Sequence, residues 1–238
     1  MKKLWIAGIL FLLAVMGIVS ALPTGPEGTL TPISSSRYST AAGKTLGAIA
    51  GNVTELNLNA TSVTQTWQGY FGNITGRIVL GDSSNNTMYD WNLASPQGEI
   101  YATRKVTVPV WSSIQCAGLT EVDAEDTALG TTGAAADSVN KTFSNATSFT
   151  TFYVGSVTID QGAQDCYATH LYNNTGVQST NFAQVLLYDG ADVVYTALLD
   201  QDAMGFDGRT HDFQMIVGED GHNGDTSTTP YYFYLELE

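Results

Sequence analysis

The run from Phe182 to Leu199 constrains the fold more than any other part of this chain. Two apolar, β-branched segments flank Asp189-Gly190, the residue pair preferred in tight hairpin turns. The sequence thus predicts two successive antiparallel strands.

Other strand signals surround this hairpin. In Asn52–Asn59, Thr54, Leu56 and Leu58 share one face at period two. Gly69–Leu80 mixes aromatic and aliphatic residues with glycines, as a bent or bulged strand does. Tyr89, Trp91 and Leu93 alternate with polar residues, and Ser95-Pro96-Gln97-Gly98 predicts a type I turn with Glu99–Thr103 returning antiparallel. Ser148–Ile159, Cys166–Tyr172, Asp212–Val217 and Tyr231–Leu237 complete the set. Many short strands joined by Gly-rich turns predict an all-β fold, a β-sandwich built as one large or two small sandwiches.

The middle of the chain breaks the pattern with a short helical insertion around 120–143. Thr120 with Asp123 three residues on resembles a capping box, and Gly130 is a stop signal. Ala135, Val139 and Phe143 then fall on one helical face. Glu121, Asp123, Glu125 and Asp126 read as carboxylates favoured by the dipole at a helix start.

The N-terminus sets the compartment. Lys2 and Lys3 precede an apolar run from Leu4 to Val19, and Val19-Ser20-Ala21 is a small-residue cleavage site. That order predicts a secretory signal peptide over residues 1–21, with a membrane role only if the signal is retained. Residues 22–48, rich in Pro, Gly and Ser, read as a flexible leader. Two β modules then follow, 49–105 and 106–238. No later stretch approaches the ~18 apolar residues of a membrane span.

A formal charge of −14 argues against nucleic acid as a partner. Cys116 and Cys166 are the two cysteines, and in an exported chain a lone pair predicts one disulfide. Asn52, Asn59, Asn73, Asn85, Asn140, Asn145 and Asn173 each open an N-x-[ST] sequon, which predicts outward-facing glycans.

Candidate binding chemistry is sparse. Asp200, Asp202 and Asp207 start like a calcium loop, but Met204 replaces a ligand and His211 stands where an EF-hand needs Glu. Calcium is therefore expected only in some other geometry, and no other cofactor is indicated. Glu219, Asp220 and Asp225 form a second, weaker acidic group. His170, His211 and His222 lack zinc spacing. Nucleophile-elbow and phosphate-loop motifs are absent from the sequence. Trp67, Tyr70 and Trp91 head a group of aromatics that would either pack internally or stack on sugar rings.

Three stretches resemble a family of uncharacterised, exported archaeal cell-surface proteins. They are Gly51-Asn52-Val53-Thr54 through Trp67-Gln68-Gly69-Tyr70-Phe71-Gly72-Asn73-Ile74-Thr75-Gly76, then Tyr89-Asp90-Trp91-Asn92-Leu93 with Ser95-Pro96 to Ala102, and Gly205-Phe206-Asp207 through Thr210-His211-Asp212-Phe213-Gln214-Met215-Ile216-Val217 into Tyr231-Tyr232-Phe233-Tyr234. The resemblance implies archaeal export and surface residence and transfers no catalytic residue. The expected function is a non-catalytic structural or interaction protein, with self-association by β-strand addition or binding to other envelope proteins. The alternatives are a carbohydrate-binding or adhesion module that takes glycans, and a secreted hydrolase.

Overall fold

The computed structural model describes residues 22–93, 95–162, 164–221 and 227–237. The expected signal peptide, His222 and Asp225 lie outside the described residues. The strands are β1 (Trp67–Gly72), β2 (Gly76–Gly81), β3 (Thr87–Leu93), β4 (Gly98–Thr103), β5 (Gln115–Cys116), β6 (Phe152–Val154) and β7 (Val157–Ile159). They continue as β8 (Ala168–Tyr172), β9 (Gln178–Tyr188), β10 (Val193–Leu198), β11 (Ala203–Met204), β12 (Thr210–His211), β13 (Phe213–Gly218) and β14 (Tyr232–Leu237). Two helices interrupt them, α1 (Leu119–Ala128) and α2 (Val139–Thr142). The fold is all-β with a short helical insertion, as the sequence predicts.

A central antiparallel sheet runs β14-β4-β10-β9-β5, with β8 also paired to β9. Its strands read as nearly continuous apolar runs because both faces are buried. Strand geometry sends successive side chains to opposite faces. Ile100, Ala102, Leu186, Val193, Tyr195 and Ala197 therefore enter one core, and Tyr101, Val185, Leu187 and Val194 the other. The first core is closed by Met215 and Val217 of β13, which pairs with β1, and by Val122, Val139 and Phe143 of the helical insertion. The second is closed by Trp111 and Ile114 and by Phe152, Val154 and Ile159 of the β6–β7 hairpin.

The Asp189-Gly190 hairpin forms as β9–β10, Val193 opposite Tyr188. Asp189 Oδ1 accepts the N–H groups of Ala191 and Asp192, both at 3.0 Å, and Gly190 takes φ 94°. The Cys116–Cys166 disulfide, with Cα atoms 4.8 Å apart, staples β5 to the segment entering β8. Both strands lie on the same edge of β9. Closing a loop across 50 residues stabilises the fold by about 4 kcal/mol on the chain-entropy model.

Several expectations are corrected, among them Ser148–Ile159, which is the β6–β7 hairpin and not one strand, and the cap of α1, which is Gly118 and not Thr120. Asn52–Asn59 lies in no strand. Gly69–Leu80 is two strands, not one bent strand: the chain breaks at Ile74, whose N–H donates to Asp212 Oδ2 at 2.7 Å. Glu99–Thr103 does not return onto β3; it goes to the centre of the main sheet, between β10 and β14. Its residues are almost wholly buried, so core placement outweighs the local turn. The helix predicted over Ala134–Phe143 shrinks to the single turn of α2, capped by Ser138 Oγ, which accepts the Lys141 N–H. Strands from the two sequence modules also interleave, since β1 pairs with β13 and β4 lies between β10 and β14.

Candidate functional site: an exposed apolar ribbon and an extended leader

β2 and β3 form a hairpin apart from the central sheet, with Ile78 opposite Trp91 and Leu80 opposite Tyr89. Directly opposed residues share a face. Ile78, Leu80, Tyr89 and Trp91 therefore make one apolar face, and all four are exposed, Tyr89 by 60% and Trp91 by 48%. The two rings lie 4.9 Å apart, tilted by 56°. The turn is set by Asp82, whose Oδ1 accepts the N–H groups of Ser84 and Asn86, both at 2.9 Å, with Asn85 at φ 63°. The Asn86 side chain also donates to Asp82 Oδ2 at 2.8 Å, and this bond, followed by the backbone ones, holds the Asp82 carboxyl below its ordinary range. A two-stranded ribbon is marginal by itself in water, and this one presents apolar side chains to solvent.

The leader lies nearby. Thr24 makes a two-way bridge with Leu235, each N–H donating to the other's carbonyl at 2.8 Å, and Pro23 is buried. Beyond this anchor Leu30, Ile33, Tyr38, Leu46, Ile49, Val53, Leu56 and Leu58 are all exposed. An open cleft between leader and hairpin is lined by Glu27, Arg77, Val79, Asp82 and Thr87. Asp82, one of its two carboxylates, is occupied in the turn.

The other aromatic candidates differ from Trp91. Trp67 packs into the first core against Phe143 and Tyr195, and its Nε1–H donates to the Asp137 carbonyl at 2.7 Å. Of the two roles open to it from the sequence, Trp67 takes internal packing. Tyr70 lies at the margin, edge-on to Phe233 at 5.2 Å.

The acidic loop does not converge as a calcium site. Asp207 accepts from Arg209 and from His211 Nε2 at 2.9 Å. Burial opposes ionisation of its carboxyl, but these bonds outweigh it and lower the pKa to about 2. Asp202, at φ 52°, gives its N–H to Asp212 Oδ1, and Asp200 gives its N–H to the Asp212 carbonyl. The Asp207 and Asp212 carboxylates thus serve local turns, and among the described residues no three metal-ligating side chains form a group that could hold an ion. His170 donates to the Ser148 carbonyl at 2.8 Å.

Of the sequon asparagines, Asn52, Asn59, Asn73, Asn85 and Asn145 are exposed, and Asn140 and Asn173 half-buried. Asn140 and Asn145 donate through Nδ2 to Asp123 and Asp165, at 2.9 and 2.8 Å. Asn173 Oδ1 accepts the Thr175 hydroxyl of its own sequon at 2.7 Å.

Sequence reading missed the buried carboxylates. Of the four assigned to a helix start, Glu121 fits, accepting the Gly118 N–H at 2.9 Å. Asp126 instead caps the other helix, accepting the Val139 N–H at 2.7 Å. Glu125 is buried, accepts the Tyr195 hydroxyl at 2.8 Å and pairs with Arg104. Burial raises its pKa despite Arg104. Glu99 and Glu236, from strands far apart in sequence, face each other in the second core. Nothing in the local sequence marks such pairs, because tertiary register creates them.

Among the described residues no helix is long and apolar enough to cross a membrane. Comparison with family models, curated proteins and solved structures finds no match to this chain.

Proposed function

We propose that this chain is an exported, glycosylated cell-surface structural protein that assembles with copies of itself by strand addition. The observation that carries this reading is the coexistence of an extended leader with exposed apolar side chains and a ribbon whose apolar face is exposed. Strand addition joins an extended segment to a sheet edge through main-chain hydrogen bonds, with side-chain pockets supplying specificity. In this reading the Lys44–Ala50 segment of one subunit, through Leu46 and Ile49, lies along the β2–β3 ribbon of the next. The two surfaces differ, so the contact is head-to-tail and builds a ring or an open polymer. The disulfide and the exposed sequons suit an oxidising exterior, in line with the resemblance to exported archaeal surface proteins.

Two variants test it. Leu46→Asp/Ile49→Asp removes the donor, and Leu80→Asp/Trp91→Asp removes the acceptor. Wild-type chain from residue 22 forms large species by light scattering, and each variant alone stays monomeric. Mixed, they yield a discrete dimer, because one intact donor meets one intact acceptor. A wild-type chain that stays monomeric at high concentration, with and without calcium, sinks the reading.

A second reading draws on the Tyr89–Trp91 pair, which offers a half-exposed aromatic platform. Such a platform suits a glycan ring. Polysaccharide would then quench tryptophan fluorescence in the wild type and not in Trp91→Ser.

A further inference from the structure

Thr24 is where the leader joins the central sheet. It exchanges both backbone hydrogen bonds with Leu235 at 2.8 Å, along the side of β14 turned away from β4. Its two predecessors complete the contact. Pro23 is buried, and Leu22 lies over Gly155 in the β6–β7 turn, where a Cβ would come within 2.6 Å of Leu22 Cδ2. Gly155 takes φ 56°, a conformation that suits glycine, so the seat for Leu22 stays open. Three residues of the leader thus plug one point of the sheet edge.

The link between this plug and the body is long. Residues 27–62 are exposed throughout and lie in no strand or helix. The chain rejoins the body at Thr66, whose carbonyl accepts the Glu219 N–H at 2.7 Å just ahead of β1. A segment of about 40 residues spans up to ~130 Å when extended, and the folded body is only about 40 Å across. The plug therefore reaches the β14 edge of a neighbouring copy as readily as its own. Its contacts are the same in either place, so concentration selects between them. A tether this long gives an effective concentration of about 1 mM or less. Copies packed more densely than that exchange their plugs. The edge is also continuous with the ribbon, since Gly76 at the start of β2 packs against the Leu237 side chain of β14.

We infer that Leu22-Pro23-Thr24 is an exchangeable plug, seated on the β14 edge of the next subunit in the assembled protein. This is an exchange of identical elements between copies. It rests on the assembly reading for the nearness of a neighbour: the subunit whose ribbon receives Lys44–Ala50 also receives the start of the same leader. In dilute protein the plug returns to its own chain and covers the edge there.

The test places cysteines at the bridge in the exported chain. Cys116 and Cys166 are joined to each other, so an added thiol is the reactive one. Residues paired through two hydrogen bonds have Cα atoms about 5.5 Å apart, a distance a disulfide spans. Thr24→Cys and Leu235→Cys are mixed at about 1 mM and oxidised, and the mixture gives on the order of tenfold more disulfide-linked dimer than either variant by itself. The double variant closes within one chain at about 1 μM and between chains at about 1 mM. Should Leu235→Cys fail to fold, a photo-crosslinking residue at Thr24, mixed with isotope-labelled wild type, maps the same contact. Links from Thr24 to labelled β14 support exchange. Links confined to its own chain, or a mixture with no excess of dimer, overturn it. The two contacts also fail separately. Large species whose Thr24 links only within its own chain sink exchange and leave the ribbon contact standing. A linked dimer in a wild type that forms nothing larger upholds exchange without the ribbon contact.

Discussion

The side-chain amide of Gln184 binds both backbone groups of Ile216, donating to its carbonyl at 2.6 Å and accepting from its N–H at 2.9 Å. Gln184 is fully buried on β9, and Ile216 lies on β13 of the covering pair. A side chain from the central sheet thus takes the place of a neighbouring strand at this point of the β13 backbone. With the bond from Gln214 Nε2 to the Tyr172 carbonyl of β8, at 3.0 Å, the contact joins two layers that also meet through apolar packing.

Gln184→Leu is expected to destabilise the protein by about 2–3 kcal/mol, although leucine is similar in size and more apolar. The loss comes from two backbone groups left unpaired between layers, each costing about 1–3 kcal/mol where water is excluded. Urea unfolding measures it. A variant as stable as the wild type would mean that β13 finds other partners.

The tryptophans separate a packing role from a surface one. Trp67→Ala is expected to cost about 3 kcal/mol, because it empties a space beside Phe143 and Tyr195 and removes the bond to Asp137. Trp91→Ala should change monomer stability by less than about 0.5 kcal/mol, as expected for an exposed side chain. Thermal unfolding of monomeric protein checks both. Equal losses would show that the β2–β3 ribbon packs on its own subunit.

Acid should weaken the β9–β10 turn. Burial pushes the Asp189 carboxyl upward, but Lys105 Nζ at 2.5 Å and the turn N–H groups outweigh it, so the pKa is lowered. A carboxylate with a depressed folded-state pKa contributes stability above its unfolded value, near 3.8, and loses it as pH falls through the folded value. Asp189→Asn should therefore be less stable by about 2 kcal/mol at about pH 7, with the gap closing toward about pH 2. Urea midpoints across that range test the sign. A gap that widens in acid would contradict it.

Local sequence was enough for several parts of this protein. The Asp189-Gly190 hairpin, the Gly130 helix stop and the β14 strand follow from turn chemistry and period-two patterning, which act between neighbours in the chain. The disulfide was legible because two cysteines leave one pairing. Tertiary structure alone decided the rest. Glu99–Thr103 carries a local signal to pair with β3, yet its side chains bury more surface between β10 and β14. Leu56 and Leu58 share the strand pattern of the core runs but lie exposed, since alternation specifies a face and not what covers it. Trp67 and Trp91 look alike in sequence; one meets Phe143 and Tyr195 and the other meets solvent. Glu99 and Glu236 are 137 positions apart and become cross-strand neighbours only through the register of β4 on β14. Patterning sets which residues can be strand and which face each takes, whereas long-range burial selects the partners and so places the charges and aromatics that chemistry would use.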